Sequence, residues 1–461
     1  MNEADEDATS AHPSVLKYGR HVNPAFVKLL GVFGYGRLLV RGRDVWIWDE
    51  KGRKYLDALA GFGSVNLGHN HPRLVERLKA FLSEDALNFL HVGPSARAAD
   101  LAEALAKLAG PPLEVSLFSN GGAEAVEAGM KLARIATGRR DLVSCEGGYH
   151  GLSFGTLSIA GIEKLRAPFG DLLEGCTRVP FGDLGALEKA LSKKKVAGFV
   201  VDPFQCETAA QPPPPGYLRD AQALCRRFGT IMVLDEVQTG IGRTGSLFAY
   251  QAEGFVPDVL VLAKSLSGGI APIGVTLTTA EIHARVFSSM ERFGLHNSTF
   301  GGNAFSCAAA LETLAIVKDE DLVARSAARG AELLALLKKR LEGHPLVRSV
   351  RGRGLLASVE LGPTDKGWVN KLAPGLVESV SRNVFGQWAS VKLLERELIC
   401  QPASQNWNVL KIEPPLTIQP AEIERLVATL GEVLDEYQGV PGLLNDVTRR
   451  LGKQFLAGWS F

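Results

Sequence analysis

The chain has 461 residues, 46% hydrophobic and 22% charged, a balance that suits a large globular core and is too apolar for a chain that stays disordered. Lys and Arg (51) nearly cancel Asp and Glu (50), so no positive excess exists to neutralise a nucleic-acid backbone. No apolar run reaches the roughly 18 residues of a membrane span, and the acidic start MNEADEDATS differs from a basic-then-apolar export signal, so the expected compartment is cytoplasmic.

Order is expected to begin near Asn23-Pro24, a cap and first-turn pair ahead of Phe26, Leu29 and Leu30 at helical spacing. Trp46 to Tyr55 reads as two short strands around a Glu50-Lys51-Gly52 turn. From residue 65 to 335 apolar β runs alternate with amphipathic helices, which is the α/β pattern of a mostly parallel sheet. A second lobe follows, with a helix through Leu333 to Leu341, a strand from Leu355 to Leu361 and a helix from Ala421 to Tyr437. The six cysteines are scattered, with neither a CxxC pair nor zinc spacing, and read as reduced, mostly buried thiols; no metal is expected.

Within the α/β region each apolar run delivers polar residues at its carboxyl end. Val115 to Phe118 leads to Ser-Asn-Gly-Gly, Gly198 to Val201 to Asp202, Ile231 to Leu234 to Asp235-Glu236, and Val259 to Ala263 to Lys264. That edge of a parallel sheet is where ligands bind, so one site assembled from distant segments is expected. Lys264 would begin at a desolvated strand end, where a depressed pKa makes an amine nucleophilic and fit for a Schiff base. A solvated surface lysine would look the same in sequence. Asp235 follows four apolar residues and needs a cationic partner, either a protonated ring nitrogen or an arginine. Gly121, Gly122 and Ala123 would offer backbone amides to a phosphate at a helix N-terminus, although a plain strand-to-helix turn reads alike. Gly240-Ile-Gly-Arg-Thr-Gly245 matches GxGxxG, but it follows Asp235-Glu236 rather than a strand and opens no βαβ unit, so it is not read as a dinucleotide site.

A phosphate, a basic ring nitrogen and an aldehyde able to take up a lysine together describe pyridoxal phosphate. The sequence resembles the class III (ω-) aminotransferases of the fold-type I pyridoxal-phosphate enzymes, most of all the putrescine and ornithine aminotransferase group. The motifs that carry the resemblance are Gly61-Phe-Gly-Ser-Val-Asn-Leu-Gly-His-Asn-His-Pro72, Asn120-Gly-Gly-Ala-Glu-Ala-Val-Glu127, Tyr149-His-Gly151, Leu234-Asp-Glu-Val-Gln-Thr-Gly-Ile-Gly-Arg-Thr-Gly245, Ala263-Lys-Ser-Leu-Ser-Gly-Gly269, Ser298-Thr-Phe-Gly-Gly-Asn303 and Glu413-Pro-Pro-Leu416.

The resemblance implies a large, mostly parallel-sheet domain over 65–335 that binds the cofactor. It implies a smaller α+β domain built from both termini, with 1–64 contributing part and 336–461 the rest. It makes Lys264 the Schiff-base lysine and proton shuttle, and Asp235 the partner of the pyridinium nitrogen. Gln238 would bond the ring 3′-oxygen, Tyr149 would stack on the ring with His150 beside it, and Gly121, Gly122 and Ala123 would hold the phosphate. Thr299 would reach the phosphate of the neighbouring subunit in a homodimer with shared sites. Glu207 and Lys411 would pair when the substrate lacks an α-carboxylate and separate when an oxo acid enters. Lys411 stands where the family has an arginine, and Gly121 and Ala123 replace the usual hydroxyl residues of the phosphate turn.

The implied reaction moves an amino group from an amine or ω-amino donor to an oxo acid or ketone by a ping-pong route. An aminomutase or racemase on the same scaffold, and a catalytically silent cofactor-bearing partner, stay open at this point. Two further stretches suggest a long apolar substrate or peripheral contact with a membrane, or else serve only to thicken the dimer interface or cap the small lobe. Val377, Val380, Val384, Trp388, Val391 and Leu394 recur at three or four beside Phe385, and after Tyr437 a basic amphipathic stretch carries Leu444, Val447, Leu451 and Phe455.

Overall fold

The computed structural model describes residues 12–32, 36–89, 92–208, 211–362 and 374–436, whose strands form three sheets. The largest has seven strands in the order Leu113–Ser119, Gly274–Thr279, Val259–Leu262, Ile231–Asp235, Val196–Val201, Asp141–Cys145 and Cys176–Val179. Gly274–Thr279 runs antiparallel to both its neighbours, while the other pairings are parallel. Val196–Val201, Ile231–Asp235 and Val259–Leu262 are buried at every position. Their apolar runs are unbroken because helices cover both faces of such a sheet, leaving no solvent face to be polar.

Helix Gly122–Thr137 lies across this sheet. A Cβ at Gly129 would stand 2.8 Å from Val233 Cγ1, so glycine permits the close approach. Leu39–Arg43, Trp46–Asp49 and Lys54–Asp57 form an antiparallel meander, and Leu398–Ile399 adds to its edge in parallel. Val347–Arg353, Leu356–Leu361, Asn406–Ile412 and Gln401–Ala403 form the third sheet, antiparallel throughout.

The strands around the Glu50-Lys51-Gly52 turn form as expected, with Trp46 opposite Leu56. Asn23 caps helix Pro24–Val32, its side chain accepting from the Phe26 amide at 2.9 Å. Helical order begins earlier than the sequence suggests, with Pro13–His21. That helix buries none of its residues. Helices Leu322–Leu341 and Pro420–Asp435 account for the two expected in the second lobe.

The GxGxxG lookalike is a structural bracket. Arg243 is fully buried, donating to the carbonyls of Leu355 (2.9 Å) and Pro414 (2.5 Å) and to Asn66 Oδ1 (2.5 Å), and so ties the segment to the third sheet and the Glu413-Pro-Pro stretch. Gly245, at φ +82°, would place a Cβ 3.0 Å from Ala327 Cα. The stripe expected to meet a long apolar substrate lies on helix Pro374–Glu395, but its described part turns inward. Phe385, Trp388, Val391 and Leu394 are buried, with Phe385 and Trp388 in the main core and Leu394 against Tyr55, Leu59 and Ile399. Packing explains that half of the stripe, which therefore lends no support to an apolar channel. The basic stretch after Tyr437 lies outside the described residues. No described helix is long and apolar enough to cross a membrane.

Candidate active site

The carboxyl ends of the parallel strands converge on a cavity of about 300 Å³. Gly122, Ala123, Tyr149, His150, Asp202, Glu207, Asp235, Val237, Gln238 and Lys264 all line it. Segments from Gly122 to Lys264 meet here because adjacent parallel strands end on one edge of the sheet.

Lys264 directly follows the Val259–Leu262 strand and Ala263, with φ at +46°. A left-handed non-glycine residue costs on the order of 1–3 kcal/mol and persists where the surroundings dictate it. Here the turn aims the lysine into the cavity, where Nζ donates to Gln238 Oε1 at 2.8 Å. Burial pushes the ammonium pKa down, a shift Glu207 opposes, and so favours the neutral amine.

Asp235 ends the central strand. One of its oxygens accepts from the Val237 amide at 3.0 Å and the other meets His150 Nδ1 at 2.8 Å. His150 Nδ1 also lies 3.5 Å from Asp202 Oδ1. Burial works against the imidazolium, yet Asp202 and Asp235 prevail and raise His150 to about 9. The ring is therefore charged at neutral pH, and Asp235 is held by a cation rather than left as an orphan carboxylate. Sequence alone treats His150 as a neighbour of the stack; in the structure it is the partner of Asp235.

Helix Gly122–Thr137 starts at the cavity, with Gly121 as its cap and no side-chain capping bond. First-turn amides of a helix have no intrahelical acceptor, so this end can receive an anion. A Cβ at Gly122 would come within 3.0 Å of Val237 Cγ1, which explains a glycine there.

On another side of the cavity Glu207 Oε1 pairs with Lys411 Nζ at 2.9 Å, and Ser404 donates to Glu207 Oε2 at 2.6 Å. Burial would raise the Glu207 carboxyl, but Lys411, Lys264 and Ser404 outweigh it and hold the group at about 2. Lys411 Nζ also lies 3.0 Å from Glu413 Oε1, and Gln238 Nε2 donates to Glu413 Oε2 at 3.0 Å. In the sequence Glu413 stands only within the Glu-Pro-Pro-Leu motif, and nothing local marks it as the link between these groups. Ser404 carries no sequence signal at all. Thr299 does not join this cavity. It lines a second one of about 430 Å³ with Asn88, Phe89, Arg97 and Phe118.

Residues 34–434 match the class-III aminotransferase family pattern. The chain belongs to the class-III aminotransferases. It is 36% identical over 451 residues to aminotransferase PigE of Serratia sp. (strain ATCC 39006), a match covering 91% of this chain and 53% of that protein. The chain thus spans about half the length of this curated relative. Among solved structures, an ornithine aminotransferase from Toxoplasma gondii superposes with a TM-score of 0.77 at 31% identity, covering 86% of this chain and 90% of that one. That enzyme holds PLP at partial occupancy in its active site. An aminotransferase from Bacillus anthracis gives a TM-score of 0.79 at 26% identity, covering 95% of this chain and all (100%) of that one.

Class-III aminotransferases depend on pyridoxal phosphate, and the cavity wall of this member offers the groups that molecule calls for. A helix N-terminus suits its phosphate, a carboxylate its ring nitrogen, a desolvated amine its aldehyde, and the Tyr149 ring and Val237 side chain its faces.

Proposed function

We propose that the chain is an aminotransferase in which Lys264 carries pyridoxal phosphate and passes protons at the reacting carbon of the substrate. The observation that carries this reading is the meeting of a desolvated amine, Lys264, with the buried carboxylate of Asp235 in one cavity beside an open helix N-terminus. Bound there, pyridoxal phosphate supplies an aldehyde to accept the amino group and a ring to withdraw electrons from the breaking bond.

Asp235, held by His150 and the Val237 amide, keeps a negative charge at the ring nitrogen. Gln238 places its amide at the ring oxygen while its Oε1 orients Lys264 Nζ. Tyr149 covers a ring face and excludes water. The amides of Gly121, Gly122 and Ala123 hold the phosphate. With a donor amine in the cavity, Lys264 Nζ would take the proton from the donor's reacting carbon and hold it for return. Glu207 borders the substrate side, with Lys411 paired behind it. The donor is an amine or ω-amino compound, and the acceptor an oxo acid or ketone that takes the amino group in a second half-reaction. Initial rates measured while both substrates are varied should give parallel double-reciprocal lines. Intersecting lines would reject the ping-pong route.

We further infer a homodimer with two shared sites. Thr299 lies away from the cavity of its own protomer, beside the exposed apolar residues Leu87 (67%), Phe89 (38%) and Phe300 (57%), a surface that a second copy would cover. Lys264→Ala mixed with Thr299→Arg, each inactive alone, is expected to regain activity in heterodimers, because one of their two sites draws every group from unaltered sequence. Absence of complementation, or an active monomer in sedimentation, would reject shared sites.

A further inference from the structure

The surroundings of Lys411 bear on which acceptors the site takes, resting on the aminotransferase reading above. Lys411 lies on strand Asn406–Ile412, between Leu356–Leu361 and Gln401–Ala403, opposite Ser358 on one side and Gln401 on the other. The side chain is fully buried at 0% exposure. Its Nζ is 2.9 Å from Glu207 Oε1 and 3.0 Å from Glu413 Oε1, and the Phe62 ring centroid stands 5.0 Å away. Burial would depress the ammonium, yet Glu413 and Glu207 together hold it well above the ordinary lysine range. Only Glu207 of the three reaches the cavity wall; Glu413 is fully buried and shared with Gln238 Nε2.

A single cation–carboxylate pair can open to admit a substrate carboxylate, because the freed cation takes the newcomer. Here one cation faces two carboxylates. If an oxo acid displaces Glu207, Lys411 is still neutralised by Glu413, and the newcomer meets a closed ion pair with a displaced acid nearby. An ammonium also lacks the planar fork with which a guanidinium could grip a substrate carboxylate through two N–H groups while staying paired with Glu413.

We propose that Glu413 is a specificity-determining residue that keeps Lys411 paired, so that the site favours aldehydes and ketones lacking a carboxylate beside the carbonyl over 2-oxo acids. The same carboxylate positions Gln238, whose Oε1 accepts from Lys264, so the acceptor preference and the placement of the lysine are set by one buried group.

The test compares holoenzyme with Glu413→Gln, which keeps an acceptor for Gln238 and removes the charge. Calorimetric titration with glutarate, a carboxylate that cannot react, is expected to show about tenfold tighter binding by the variant, the gain of one charge-assisted pair. The ratio of kcat/KM for a 2-oxo acid to that for an aliphatic aldehyde of equal length should shift by about tenfold in the same direction. Unchanged glutarate affinity, or an unchanged ratio, overturns the proposal. Should Glu413→Gln fail to fold, Lys411→Arg serves: a guanidinium can retain Glu413 and still bind glutarate, again about tenfold tighter, and no gain overturns the proposal. Borohydride trapping of pyridoxal phosphate on Lys264 separates the two levels. Trapping with unchanged glutarate affinity rejects the role of Glu413 alone, whereas no trapping on Lys264 rejects the aminotransferase reading and this inference with it.

Discussion

Replacing Lys264 by alanine is expected to lower turnover by at least about 10³-fold, because the residue combines covalent attachment with proton transfer. The fold should survive. Lys264 lines a cavity rather than the core, Gln238 keeps its bond to Glu413, and alanine accepts the positive φ no worse than lysine does. Borohydride treatment of the wild type, followed by peptide mass spectrometry, should place a stable pyridoxyl adduct on Lys264, and the variant should give none. An adduct on another lysine, or a variant that turns over at the wild-type rate, would remove Lys264 from its proposed place.

Asp235→Asn is expected to reduce kcat by about 10²–10³-fold, the scale of losing one preorganised charge at a reacting group. Substrate KM should change far less, since Asp235 is proposed to face the cofactor ring and not the substrate. The new side-chain amide can still accept from the Val237 N–H, so the backbone after the strand has no reason to move. His150 supplies a second readout. Its charge rests on Asp202 and Asp235, and with one of the two neutralised its titration should fall from about 9 toward the ordinary histidine range, visible by NMR of the imidazole. A wild-type kcat in the Asp235→Asn variant would overturn the role given to Asp235. An unmoved His150 titration would show that Asp202 alone holds the imidazolium.

Much of this protein is legible in one dimension where the signal is local. The unbroken apolar runs at Val196–Val201, Ile231–Asp235 and Val259–Leu262 mark strands buried on both faces, and the polar residue that closes or follows each belongs to the edge of the sheet where a ligand would bind. That is why Lys264, Asp235 and the Gly121-Gly122 turn stand out in the linear sequence, and why the family motifs fall on them. Periodicity also finds the helix at Pro374–Glu395, but an apolar stripe looks the same whether it meets a substrate or a core, and the burial of Phe385 and Trp388 decides for the core.

The partners of buried charges are a different matter, because nothing in a local pattern records them. Lys411 and Glu207 are 204 residues apart and Gln238 and Glu413 are 175 apart, and they meet only because strand Asn406–Ile412, an inner strand of the third sheet, and the Glu413 that follows it fold against residues that line the cavity. His150 becomes the cation beside Asp235, 85 residues away, because both stand at that same edge. Sequence by itself determined the α/β fold, the family and the chemistry-bearing strand ends, since local periodicity and motif spacing suffice for those. Tertiary structure alone decided that Lys411 has two acids and not one, because a desolvated charge must be neutralised by whatever the packing brings within hydrogen-bond reach.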